Sequence, residues 1–197
     1  MADELIDVVD PSTGVPTGEK IMKSVAHHKG IFHLAVHIWI YNSSGEVLLQ
    51  LRAKQKKLFP DLWDISCAGH IGAGEKPLVC AVREMEEELG LKIKPTDLEF
   101  AFNFLDCMNA NDNMINNEFC PVYLYKYDGK AEKVVLQKEE VAKVNFFKIN
   151  FLEKEISKET NNKMCLLWKN ESVPRVFELI KERTISKRKK ELDKKRI

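Results

Sequence analysis

Between Gly69 and Leu91 the chain reads GHIGAGEKPLVCAVREMEEELGL, and the residues that could do chemistry are its crowded carboxylates, Glu84, Glu86, Glu87 and Glu88. The pattern predicts a helix over Pro77 to Leu89. Pro77 suits the first helical position and Gly90 the residue just beyond the end. Leu78, Val82, Met85 and Leu89 then form one apolar stripe, while Glu84, Glu87 and Glu88 are neighbours at i, i+3 and i+4. Like charges at that spacing cost roughly a few tenths of a kcal/mol per pair in a bare helix. A divalent cation removes that cost. Carboxylate oxygens are the preferred ligands of Mg²⁺, which also binds substrate phosphates. The three glutamates therefore read as a platform for Mg²⁺ and a phosphorylated ligand. The plainer alternative, a solvated helix face, would intersperse lysines; here Arg83 is followed by no positive charge until Lys92.

The loop before the helix contains three glycines, which let the backbone turn tightly and approach a ligand closely. Glu75 in that loop and Arg83 in the helix can pair, clamping loop to helix in a supporting capacity.

The platform needs a scaffold. ELIDVVD followed by PSTG reads as a strand and a turn, and GEKIMKSVAHHKG as a short helix closed by Gly30. IFHLAVHIWIYNSSGEVLLQLRA is the clearest hairpin. KQKKLFPDLW is a basic loop with aromatic anchors, and WDISCAGHI reads as one more short strand. Segments 98–107, 115–127 and 141–148 read as strands and 172–195 as a C-terminal helix with Pro174 in its first turn. Strands on both sides of one strong helix predict a mixed central sheet between helices, an α/β/α sandwich.

With 197 residues, 44% of them hydrophobic, the chain can build a real core within a single domain. Residues 1–30 read as an N-terminal extension, 31–150 as the core and 172–197 as the C-terminal helix. A formal net charge of +1 gives no whole-protein argument for nucleic acid or an anionic membrane. No apolar run approaches the ~20 residues of a membrane span. Five dispersed cysteines, without paired spacings, suggest reduced thiols, and the expected location is cytoplasmic. The lysine-rich end, KERTISKRKKELDKKRI, reads as a solvated helix terminus.

The opening stretch resembles a known family. Gly69, Glu75, Arg83, Glu84, Glu87, Glu88 and Gly90, with Met85 and Leu91 at the apolar positions, match the complete Nudix box, G-x5-E-x7-R-E-U-x-E-E-x-G-U. The resemblance implies the Nudix α/β/α sandwich and hydrolysis of a diphosphate with Mg²⁺ or Mn²⁺ held by Glu84, Glu87, Glu88 and the carbonyl of Ala68. Gly69, Glu75, Arg83 and Gly90 would serve structure. The flanks, from HLAVHIWIY to DISCAGHIGAGE and again in NNEFCPVYLY and LQKEEVAKVNFF, are similar to the branch related to isopentenyl-diphosphate isomerase. That likeness implies metal binding or substrate contact at His33 and His70, catalysis at Glu118, Mg²⁺ binding at Glu88, and diphosphate binding at Arg52 and Lys56.

Departures from the isomerase matter as much. Its catalytic cysteine stands two residues before the histidine, where this chain has Ala68; Cys67 is one place too early, and on a strand that slip turns the thiol to the opposite face. Another metal-binding glutamate is replaced by Asn116. Proton addition and removal at carbon needs an acid and a base, and one partner is missing, whereas the intact box suits attack of water on phosphorus. The resemblance thus points to isomerase-like Nudix hydrolases, among them the Nudix domain of plant proteins that also carry a peptidase domain, with isopentenyl-diphosphate isomerase as the alternative. The implied partner is a small-molecule diphosphate of nucleoside, isoprenoid or thiamine type. Candidates for the general base are Glu84, Glu118, Glu139 and Glu140. His27, His28 and His37 read as ordinary loop or strand residues, Trp39 and Trp63 as packing residues, with Trp63, next to the basic loop, also a candidate wall of a substrate pocket, and Cys120 and Cys165 as small core fillers.

Overall fold

The structure, a computed structural model, describes residues 3–111, 114–158, 163–164 and 171–194; Cys165 and the last three residues of the basic terminus lie outside them. A hairpin of β1 (Leu5–Val9) and β2 (Pro16–Met22) leads into helix α1 (Lys23–Lys29). β3 (His33–Tyr41), β4 (Glu46–Arg52), β5 (Trp63–Asp64) and β6 (Cys67–His70) precede helix α2 (Pro77–Leu89). The long hairpin of β7 (Leu98–Asn111) and β8 (Met114–Lys126) follows, then β9 (Val141–Lys148), α3 (Ile149–Ile156) and α4 (Ser172–Lys194).

β3 is the hub. All nine of its residues are buried, as its nearly unbroken apolar run requires of a strand covered on both faces. It pairs antiparallel with β1, β4 and β6 and parallel with β8, so the sheet is mixed. Leu34, Val36, Ile38 and Ile40 face α2, packing with Cys80, Ala81, Met85 and Leu89. Trp39 and Tyr41 face the other way, into a second core with Leu152 of α3 and Val176, Phe177 and Ile180 of α4. The Trp39 and Phe177 rings meet edge to face at 5.9 Å, and Trp63 meets Phe147 at 4.9 Å. Helix, sheet and helices thus form the α/β/α sandwich.

Two local expectations are corrected. The segment before α1 is helical only from Lys23; its first half is β2, which pairs with β1 from Pro16↔Val9 to Met22↔Leu5. The edge pairing supplies backbone partners that a short helix would have had to find alone. WDISCAGHI forms two strands, because the chain changes neighbours within it. β5 pairs with β4 and β6 with β3. β3 and β4 pair only at Ile40↔Leu48 and Tyr41↔Val47 and then diverge. Ser66 fills the fork: its hydroxyl accepts from Ile40 N–H at 2.7 Å and donates to Leu48 C=O.

Helix α2 ends as its sequence anticipates. Gly90 has φ 62°, with its N–H bonded to the Glu86 and Met85 carbonyls, and a Cβ there would stand 2.7 Å from Val135 Cβ and 2.9 Å from its carbonyl oxygen. Gly90→Ala therefore combines left-handed strain with a steric overlap. Chemical denaturation is expected to show a loss of about 1–3 kcal/mol with the unfolding slope unchanged.

Candidate active site

Helix α2 and the end of β6 bring the carboxylates against the sheet. Glu84 lies directly on the backbone of Gly69: a Cβ built there would fall 2.1 Å from the Glu84 carboxyl carbon. Only a residue without a side chain allows this approach, and it sets the Glu84 carboxylate beside the peptide that carries the Ala68 carbonyl. Glu88, one turn on, is buried and accepts a long contact of 3.4 Å from the Gln50 side-chain amide of β4. Burial pushes the Glu84 carboxyl up to about 7, against the opposing pull of Arg83. Burial and then the charge of Glu84 push Glu88 up to about 8. Two carboxyls that resist ionisation because they are buried together are a donor set suited to a hard divalent cation.

Glu87 is placed differently. Its side chain is 53% exposed and it meets Arg83 Nη1 at 3.1 Å. Arg83 also donates to both oxygens of Glu75, at 3.0 and 3.1 Å, to Glu84 at 2.7 Å and to the His70 carbonyl at 3.3 Å. Glu75 in turn accepts from Gly72 N–H at 3.0 Å. One guanidinium thus holds the glycine loop, the end of β6 and the helix together, and its planar fork suits the paired contact with Glu75.

Arg52, the last residue of β4, and Lys56 in the loop after it are already engaged. Arg52 donates to buried Asp64 at 2.8 Å and to the Leu58 carbonyl at 3.1 Å. Lys56 pairs with Glu140, which is buried and whose charge, with that of Lys56, reaches Glu88. Glu139 is exposed.

A second cluster occupies the opposite face of the sheet. His33 of β3, His70 of β6 and Glu118 of β8 converge there, and His27 of α1 joins them. His70 Nε2 lies 3.1 Å from Glu118 Oε1 and 3.0 Å from His27 Nε2. His33 Nε2 is 3.7 Å from the same carboxylate oxygen, while its Nδ1–H donates to the Ile31 carbonyl at 2.9 Å. Burial would raise the Glu118 carboxyl, but the contacts with His33 and His70 outweigh it and hold it well below the usual range. Burial, then the charges of His70 and His33, lowers His27 to about 4. One donor atom from each of the four residues lies within 4.8 Å of the others. Three imidazoles and a carboxylate suit a transition metal better than Mg²⁺. His27 had read as an ordinary residue; the structure puts it in this group because α1 packs against β8. No spacing in the sequence signals that contact. Asn116 is buried on the strand of Glu118, two residues before it.

Cys67 and Ala68 fall on opposite faces. Cys67 pairs with Ile38 and is buried in the core beneath α2, whereas Ala68 pairs with His37 and packs toward the second core. No thiol stands at position 68 beside His70.

A carboxylate helix laid over a glycine-bearing strand end, within an α/β/α sandwich, defines the class of this protein. The NUDIX domain model matches residues 31–167, and the chain belongs to the Nudix hydrolase family. It is 43% identical over 163 residues to Nudix hydrolase 3 of Arabidopsis thaliana, covering 79% of this chain but only 21% of that protein. It is 34% identical over 144 residues to an uncharacterized Nudix hydrolase of Clostridium acetobutylicum, covering 72% and 68% of the two chains. Against an isopentenyl-diphosphate Delta-isomerase of Serratia proteamaculans it is 32% identical over 130 residues, covering 66% and 70%. A Deinococcus radiodurans crystal structure superposes with a TM-score of 0.63 at 19% identity over 91% of this chain and 98% of that one, which shows the shared fold.

The raised carboxyls give a pH test. In the metal-free protein Glu88 keeps its proton to about 8, whereas the unfolded chain releases it near ~4.3. The unfolded state therefore binds fewer protons in between, and stability falls as pH rises through that window. Melting scans without metal are expected to show this decline. Glu88→Gln should flatten it, with the variant gaining most near pH 8 and nothing below pH ~4. An equal slope in both proteins would mean that Glu88 ionises freely when folded.

Proposed function

We propose that this Nudix hydrolase cleaves the diphosphate linkage of a small-molecule substrate of nucleoside or isoprenoid type, with Mg²⁺ or Mn²⁺ as cofactor. The observation that carries the reading is the pair of buried Glu88 and partly buried Glu84 against Gly69. Those two residues would hold the cation, with the Ala68 carbonyl beside them and Glu87 at the exposed margin. When bound, the cation supplies neutralisation of the diphosphate and a more acidic water.

The remaining work falls to the chain. Arg83 fixes Glu84 and the glycine loop in one geometry, so the carboxylates need not reorganise when substrate arrives. A carboxylate next to the pair takes the proton of the attacking water. Glu84 is itself one of the pair and the charge of Glu140 reaches Glu88, while Glu118 stands with the histidines and Glu139 is exposed. Arg52 and Lys56 would exchange their contacts with Asp64 and Glu140 for phosphate oxygens, stabilising charge on the leaving group.

The isomerase reading is favoured by the cluster of His27, His33, His70 and Glu118. It fails at Ala68, which has no proton to give, and Cys67 faces away from Glu118.

Glu88→Gln is expected to keep its fold and lose most phosphate release at saturating Mg²⁺; near-normal turnover would remove the platform from the mechanism. The wild-type protein, incubated with isopentenyl diphosphate and Mg²⁺, should form no allylic isomer, whether or not phosphate appears. Isomer that disappears in Cys67→Ala would overturn the hydrolase reading. Arg83→Ala should weaken Mn²⁺ binding by roughly 10–100-fold, measured by titration calorimetry.

A further inference from the structure

On the face of the sheet away from α2, several buried polar atoms lack a hydrogen-bond partner among the described residues, His33 Nε2 and a carboxylate oxygen among them. Asp106 of β7 is only 5% exposed, and its Oδ2 has no hydrogen-bond partner. A buried carboxyl oxygen left unpaired is costly, and folding alone would favour an apolar residue there. The strand register places it. Asp106 stands directly opposite Glu118, Phe104 opposite Cys120 and Phe102 opposite Val122, so Asp106 shares the face of Glu118 and of His33, which pairs with Glu118 from β3. His37 shares this face. It is buried, its ring meets Phe104 edge to face at 5.2 Å, and a ring nitrogen lies within 4.8 Å of donor atoms of Glu118 and Cys120. Its cross-strand neighbour is Ala68, whose side chain is a single methyl group. Asp64, held by Arg52, contributes a further negative charge that reaches both His37 and Asp106.

A hydrocarbon chain seated here would leave the Asp106 oxygen unpaired. A hydroxyl or amino group would satisfy it. We infer that Asp106, with His37 beside it, is a specificity-determining residue that accepts a hydrogen bond from a hydroxyl or amino group on the non-phosphate part of the substrate, and so selects against isoprenoid diphosphates. The inference rests on the proposed hydrolase reading for the anchoring of the diphosphate, in which Arg52 takes part; Arg52 holds Asp64, whose charge reaches Asp106 and His37 where β3 and β4 diverge, and the inference concerns only what lies beyond that anchor. A site that hydrogen-bonds its ligand discriminates strongly against an analogue lacking the group, because its own polar atom is then stranded.

The test compares wild type, Asp106→Leu and Asp106→Asn with three ligands: ADP-ribose for hydroxyl groups, thiamine diphosphate for an amino group without a sugar, and geranyl diphosphate for a hydrocarbon. Turnover is followed as kcat/KM with Mg²⁺, and affinity by calorimetry with Ca²⁺ in its place. Melting scans confirm that each variant folds. Wild type should prefer at least one donor-bearing ligand over geranyl diphosphate, and the ligand preferred identifies the group. Asp106→Leu should cut that preference on the order of tenfold, and Asp106→Asn, which keeps an acceptor oxygen, should cut it less. An unchanged preference in Asp106→Leu, a wild-type preference for geranyl diphosphate, or no binding by any ligand would overturn the inference. Absent turnover with the affinity preference intact would instead sink the hydrolase reading and leave the selectivity of Asp106 standing.

Discussion

Two carboxylates kept from water on successive turns of one helix form the constraint around which the molecule is arranged. Glu84 and Glu88 repel each other and resist ionisation where they stand, so neither position is explained by folding. Everything near them serves to keep them there. Gly69 lacks a side chain because the Glu84 carboxylate occupies that space. Arg83 lends positive charge on one side and ties down the loop through Glu75. The segment before β9 closes the far end, with Val135 and Gln137 donating to the Leu89 and Glu88 carbonyls. A helix end held by three separate segments of chain has little room to shift and relieve the repulsion, so the pair keeps a proton where no cation neutralises it.

The sheet divides the chemistry into two layers. Beneath α2 stand carboxylates, a donor type that suits a hard ion. On the other face stand His27, His33 and His70 around Glu118. The two sets meet at β6, where Gly69 serves the first and His70 the second; Arg83 spans the junction by bonding both Glu84 and the His70 carbonyl. Alternation along four residues of strand is enough to keep Cys67 in the helix-side core and Ala68 on the histidine side. A one-residue difference in sequence thereby removes a thiol from one face and adds a core atom to the other.

Much of this was legible before any coordinates. Pro77 and Gly90 bracket the helix because each residue type has a backbone reason to be there, and the helix ends at the predicted residues. The central hairpin was readable from its turn and its apolar run. The fork between β3 and β4 was not, since pairing with a distant segment decides it and the local pattern is the same in a closed hairpin. The strand β2 was missed for a similar reason: PTGEKIM is exposed along most of its length and carries no alternation to betray it. In the site, the glutamates and Arg83 are close in sequence and their spacing could be read. His27 and Asp106 take their surroundings from α1 packing on β8 and from β7 lying beside β8, contacts that no short window contains.

Ser66 gives the fork a mechanical character. In a closed hairpin, β3 and β4 would be stitched by rigid amide bonds along their length. Here a hydroxyl bridges the Ile40 amide and the Leu48 carbonyl at the point of divergence. A hydroxyl is a rotor: it follows small changes in the gap by turning about one bond, where an amide ladder would have to break. The strand bearing Gly69 and His70 is therefore mounted on a compliant joint, and its position relative to β4 can be trimmed without exposing backbone to an unsatisfied interior.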